Sequence, residues 1–379
     1  MAYLARGWGR MKRLLAPVLT ALLALGVGTA LYLSIVEQSV VTVRGLIGSE
    51  KEEFFRDPRV IEELAGNNIR VEFVKAGSRE IATKFNLKEY DFAFPAGVPA
   101  VEKIRQDHHI AKFYPAFFTP MTVASWKRVV QILEASKIAE QKNGVYYVID
   151  MTRLLDLIKQ GKRWNELPSS GSFPVGRAVL INSTDVRKSN SAAMYLSLAS
   201  YIYNGANVVI NDSQARMIMD DLIAIFARQG YQGNTSEAPF EEYLAQGPGK
   251  SPLVMIYEAQ FLHARALPNT PVSDEMVLLY PEPTVFTKHV LVPMNEKGER
   301  LGEALMNDPE LKRLAIEHGF RNDDRPAFSE FVKQHKLAVP DEIFNVVEVP
   351  SYEVLERMIE QIDASYKGTA GNVTTNTNN

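Results

Sequence analysis

The chain of 379 residues contains no cysteine. Disulfides, thiol catalysis and cysteine-ligated zinc or iron–sulfur centres are therefore excluded. Histidine is sparse, with six residues in all. His108 and His109 are adjacent, and adjacent residues point to different sides of a helix or strand, which suits joint chelation poorly. The other four, His263, His289, His318 and His335, are scattered. Asp220-Asp221 and Asp323-Asp324 lack the spacing of a calcium loop. There is no Gly-x-Ser-x-Gly elbow. Gly247-Pro248-Gly249-Lys250-Ser251 imitates the end of a phosphate-binding loop, but position 244 is Leu, and Pro248 and Pro252 prevent a helix from starting there. The expectation is a protein without a catalytic constellation, a metal or a cofactor.

Negative charge is scarce at one end only. The formal net charge is −3, yet Arg6, Arg10, Lys12 and Arg13 stand among the first 36 residues with no acid beside them. The remaining chain has 38 basic against 45 acidic residues, net −7, a sign that disfavours nucleic-acid binding. Leu14 to Val36 is an uncharged run of 23 residues, long enough to span a bilayer. Its basic flank puts the N-terminus inside and the body outside. Gly28-Thr29-Ala30 offers a small-x-small cleavage site, so a removable signal peptide competes with a retained anchor; Leu31 to Val36 stays apolar beyond it and favours the anchor. Either way the body is exported.

In that body, strand and helix patterns alternate. Val40–Ile47, Ile69–Val74 and Tyr90–Phe94 read as strands, with helices near Glu50–Phe55, Asp57–Leu64, Arg79–Phe85 and Val98–Arg105. Later come helices at Trp126–Glu140, Met151–Gln160, Ala192–Tyr203, Ser213–Gln229, Glu258–Ala266, Gly298–Met306, Pro309–His318 and Ser351–Tyr366. Ala178–Asn182, Pro252–Tyr257 and Met276–Tyr280 read as strands, and Thr284–Met294 as extended. This is an α/β pattern with two modules and a cleft between them. Val354, Leu355, Met358, Ile359 and Ile362 form a helical apolar stripe, expected to dock on the first module. The aromatic residues Phe113, Tyr114, Phe117 and Phe118 read as core or hinge packing.

The richest stretch is Ser183 to Tyr195, where hydroxyls, an amide and free N–H groups gather between a strand pattern and a helix. It reads either as an ordinary N-cap or as a seat for a small polar or anionic ligand.

The order of motifs resembles the type II periplasmic solute-binding proteins of ABC transporters. Those motifs are Val43–Phe55, Asp91–Val98, Phe118–Ala124, Ser183–Tyr195, Leu253–Glu258, Leu279–Pro293, Asp308–Leu311 and His318–Arg321. The resemblance implies a non-enzymatic, two-lobed α/β fold, with lobe one at 38–122 plus 284–366 and lobe two at 123–283. The basic flank and transmembrane anchor at 1–37, unlike freely diffusing members of that family, and a disordered tail at 367–379 are read from composition and hydropathy. The resemblance implies a body on the periplasmic side of a bacterial inner membrane, capturing a small polar solute for an ABC permease, a sensor or another envelope complex. The alternative is a ligand-free scaffold of the same fold. Carried over residue by residue, the ligand contacts would be Ser49, Asp185, Ser189, Asn190, Ser191, Tyr257 and Glu258. Two departures disfavour an anion: the turn Pro95-Ala96-Gly97-Val98 has no hydroxyl, and Glu50, Asp185 and Glu258 would stand near the cleft.

Overall fold

The computed structural model describes residues 22–23, 25–29, 40–230 and 232–373. Most of the expected span 14–36 and residues 374–379 of the tail lie outside the described residues. Among the described residues no helix is long and apolar enough to cross a membrane.

The body opens with β1 (Val41–Ile47), a 3-10 turn at Ser49–Lys51, α1 (Glu52–Arg56), α2 (Pro58–Gly66), β2 (Ile69–Lys75) and α3 (Ser78–Thr83). Then come β3 (Phe92–Phe94), α4 (Val98–His108), β4 (Tyr114–Trp126), α5 (Lys127–Ala135), β5 (Ala139–Lys142), β6 (Tyr146–Asp150) and α6 (Met151–Lys159). The middle holds α7 (Asn190–Tyr203), α8 (Asp212–Ala227), α9 (Glu237–Gln246), β7 (Val254–Tyr257), α10 (Glu258–Ala266) and β8 (Met276–Glu282). The chain closes with β9 (Phe286–Pro293), α11 (Glu296–Asn307), α12 (Pro309–Glu317), α13 (Arg325–Gln334) and α14 (Tyr352–Val373). Helix starts follow local chemistry. Asp57 and Asp308, each before a proline, cap α2 and α12 by accepting backbone N–H bonds from Arg59 and from Glu310 and Leu311.

Hydrogen bonding orders the strands β2-β1-β3-β9-β4-β8-β6-β5, with β7 also on β4. β1 runs parallel to β2 and β3, and β9 antiparallel to β3. The two-residue period divides this first sheet cleanly. Val43, Ile47, Phe92 and Phe94 face a core with α1, α2, α11 and α12, whereas Leu46 and Ala93 face a second core with α3 and α4. β4 is the continuous link. From Tyr114 to Pro120 it pairs with β9, and from Met121 to Trp126 with β7 and β8, in the second lobe. The second lobe's core gathers α5, α6, α7, α8, β7 and β8.

Three expectations are corrected. Ala178–Asn182 is buried at Val179 and Ile181 but is no regular strand; its β-type pairing is limited to isolated bridges at Ala178 and Asn182. The helix expected over 126–140 stops at Ala135, and the antiparallel pair β5–β6 follows. The apolar stripe of α14 joins the core of the second lobe, not the first, because α8 offers it a packing face. The same helix continues to Val373.

Met358 is fully buried in that packing. Met358→Ala should lower the unfolding free energy by about 2–5 kcal/mol in a denaturant titration. A loss below about 1 kcal/mol would show that α14 adds nothing to the core.

Candidate functional site

The loop before α7 folds on itself. Lys188 and Ser189 donate their N–H groups to the Asp185 carbonyl, and Asp185 donates its own to the Gly233 carbonyl. Ser189 occupies the N-cap position, yet its side chain caps nothing. Its hydroxyl pairs instead with Ser191 at 3.0 Å, and Ser191 pairs with Thr184 at 2.8 Å. Asn190 reaches from the helix start to Tyr257, donating to its phenolic oxygen at 3.1 Å.

This loop meets the first lobe at two glycines. A methyl group at Gly77 would collide with the Lys188 carbonyl, and one at Gly97 with the Asn190 amide oxygen. Gly97 also holds φ +86°, a backbone state that favours glycine. Between the lobes remains a cavity of about 10 Å³, room for roughly one water molecule. Its first-lobe wall includes Ser49, Glu50 and Ser78; its second-lobe wall includes Ser189, Asn190, Ser236 and Tyr257. Ser236 is buried and its hydroxyl has no partner among the described residues.

Behind the cavity lies an ion cluster. The fully buried Lys51 ammonium donates to the Glu50 carboxylate and, at 3.1 Å, to His289 Nδ1. His289 is fully buried and stands 3.2 Å from Glu50. Burial pushes the Glu50 carboxyl up, but the adjoining Lys51 charge outweighs it and holds the group ionised, far below the carboxylate range. Burial pushes Lys51 down, and Glu50 offsets only part of that. Burial and the Lys51 charge bring His289 down to about 4, so it is neutral at pH 7.

The expected contacts divide into two groups. Ser49, Ser189, Asn190 and Tyr257 come together on the cavity wall. Asp185, Ser191 and Glu258 do not. Asp185 binds the Arg187 guanidinium at 2.6 and 2.8 Å and the Arg187 N–H at 2.9 Å, which fixes the turn. Ser191 spends its hydroxyl on Thr184 and Ser189. Glu258 is fully buried; it accepts from Arg321 at 2.6 and 2.8 Å and from Tyr280 at 2.6 Å. Arg321 also exchanges backbone hydrogen bonds with Phe118 in β4. Glu258 and Arg321 thus pin the crossing strand where the lobes meet. The hydroxyl-free turn at 95–98 has its own explanation, because the Ala96 N–H donates to Ser78 Oγ at 2.8 Å. Ser78, Ser236, Lys51 and His289 escaped sequence reasoning. No local pattern marked them; Lys51, for one, stands between Glu50 and Glu52 like an ordinary surface lysine.

The chain is similar in structure to the periplasmic binding protein AfuA from Actinobacillus pleuropneumoniae, solved with fructose-6-phosphate. The identity is 10%, the match covers 84% of this chain and 97% of that one, and the TM-score is 0.53. The chain has the fold of the type II periplasmic solute-binding proteins. An ABC transporter solute-binding protein from Thermotoga lettingae, bound to α-D-tagatose, matches at 11% identity over 85% of this chain and 92% of that one, with a TM-score of 0.51. The periplasmic binding protein P5PA matches at 10% identity over 84% and 98%, with a TM-score of 0.50. No family model and no curated protein matches the chain. In this binding-protein fold, the cavity above lies at the junction of the two lobes.

Two outcomes follow from these buried charges. Arg321→Met strands the Glu258 carboxylate and should cost about 3–5 kcal/mol in chemical denaturation; Glu258→Gln with Arg321→Met should recover part of that loss. His318, like His289, is brought down to about 4, by burial and then by the nearby His263. Both histidines stay neutral in the fold where the unfolded chain takes up protons. Stability should therefore fall as pH drops below about 6.5, by about 2 kcal/mol per histidine by pH 5. Urea midpoints at pH 7 and pH 5 test this, and His289→Gln should flatten the difference.

Proposed function

We propose that the chain is a non-enzymatic, extracytoplasmic solute-binding protein that captures a small polar solute between its lobes. The observation that carries this reading is the junction cavity, walled by hydroxyls and amides from both lobes, with the Ser236 hydroxyl unpartnered among the described residues. Ser49, Ser78, Ser189, Asn190, Ser236 and Tyr257 are the proposed contacts. Hinge motion about β4 and β9 would widen a space that now admits about one water molecule. Relatives in fold include an ABC transporter solute-binding protein, which favours an ABC-type permease or an associated sensor as partner. The basic flank and the apolar run 14–36 favour a single-pass tether to the bacterial inner membrane with the body in the periplasm. Leu22, Leu23 and Leu25 are helical and exposed, as a lipid-facing segment requires.

A second reading has its own support. The lobes meet through backbone at Gly77 and side chain at Gly97, and Glu50 is already neutralised by Lys51. A scaffold that binds no solute would have the same features.

Thermal unfolding of the full chain against sugars, amino acids, oxyanions and metal ions separates the two. A solute at 100 times its Kd should add about 2.7 kcal/mol. Asn190→Ala and Ser236→Ala should reduce that response at least several-fold. A flat response across the whole panel would remove the capture reading and leave the scaffold.

A further inference from the structure

The second lobe holds another cavity, of about 450 Å³, within the size range of small-molecule sites. We propose that it binds a small ligand through anionic oxygens, those of a phosphate or a carboxylate. Its wall carries Arg177, Arg228 and Lys250 against one carboxylate, Glu242. Glu242 is taken by Lys250 at 3.2 Å. Arg177 and Arg228 make no ion pair among the described residues; each spends one guanidinium nitrogen on backbone carbonyls, Arg177 on Gly249 and Lys250, Arg228 on Ile158. Both arginines are exposed, and their guanidinium groups keep most of their donors free of other partners among the described residues, in a body whose net charge is −7.

The neutral part of the wall points the same way. Gln229 Oε1 is occupied by the Ser183 N–H at 2.8 Å and the Ser183 hydroxyl at 2.9 Å. Its Nε2 is left without a partner among the described residues. Donors are thus in excess over acceptors, the reverse of a cation site. Planar guanidinium forks match carboxylate and phosphate oxygens in pairs. This site does not depend on the junction cavity, but it borders it. Asn182, Ser183, Gln232 and Gly233 line this cavity, whereas Ser189, Asn190 and Ser236 line the junction, and the Asp185 N–H to Gly233 carbonyl bond, 2.8 Å, ties the two loops together.

Trp164 lines the cavity and reports on it. In the full chain labelled with 5-fluorotryptophan, the fluorine resonance assigned by Trp164→Phe should move on titration with inorganic phosphate or with citrate. Sodium chloride at matched ionic strength should not move it. A response to phosphate alone assigns a phosphate-bearing ligand, and one to citrate alone a polycarboxylate. Arg177→Gln should weaken the response at least tenfold. Arg228→Gln and Lys250→Gln repeat the test should Arg177→Gln fail to fold. Ser236→Ala, at the junction, should leave the response unchanged. No movement with either anion, an undiminished response in all three cation variants, or a response lost in Ser236→Ala would overturn the proposal.

Discussion

Strand β4 pairs with different partners at its two ends. Tyr114 to Pro120 belongs with β9 and Met121 to Trp126 with β7 and β8. Backbone groups in a sheet must be paired, so this strand cannot leave either lobe without losing bonds. It places the two cores a fixed distance along one chain and decides where their loops meet. The Glu258–Arg321 pair locks the same place from the side chains, with Tyr280 taking a further oxygen of Glu258. A buried ion pair of this kind contributes little net stability when intact and costs much when broken. Its role here is to fix geometry.

That geometry brings loops into contact that lie far apart in sequence. Gly77 and Gly97 follow β2 and β3, and the Lys188 carbonyl and Asn190 precede and open α7. Only a missing Cβ lets the approach occur. Glu50, Lys51 and His289 then close a charge-compensated cluster beneath the junction, with Glu50 ionised, Lys51 held as its partner and His289 neutral. The consequence for recognition is direct. A carboxylate that faced the cleft unpaired would attract a cation, but Glu50 already has one. What remains on the wall is hydroxyls and amides.

The sequence alone supports the α/β alternation, the capped helix starts and the polar loop before α7. These are local: a two-residue or 3.6-residue apolar period, an Asp before Pro, a run of hydroxyls. Ser49, Ser189, Asn190 and Tyr257 were carried over from the family resemblance, and each sits near the start of a helix. Asp185 and Glu258 sit in equally suggestive positions and serve other ends, one fixing a turn and one pinning the hinge. Nothing local distinguishes a carboxylate facing a cleft from one facing an arginine 63 residues away.

Sequence determined the cysteine-free, two-module character of the chain, since composition and periodicity are properties of neighbouring residues. Tertiary structure alone decided which polar groups are spent. Lys51 finds His289 across 238 residues, Ser183 finds Gln229 across 46, and the stripe of α14 finds the second lobe's core instead of the first. The physical reason is that a hydrogen bond or ion pair has no signature in either partner's sequence context. It is set by where the chain's long-range packing brings the two groups, and the fold's two cores set that packing.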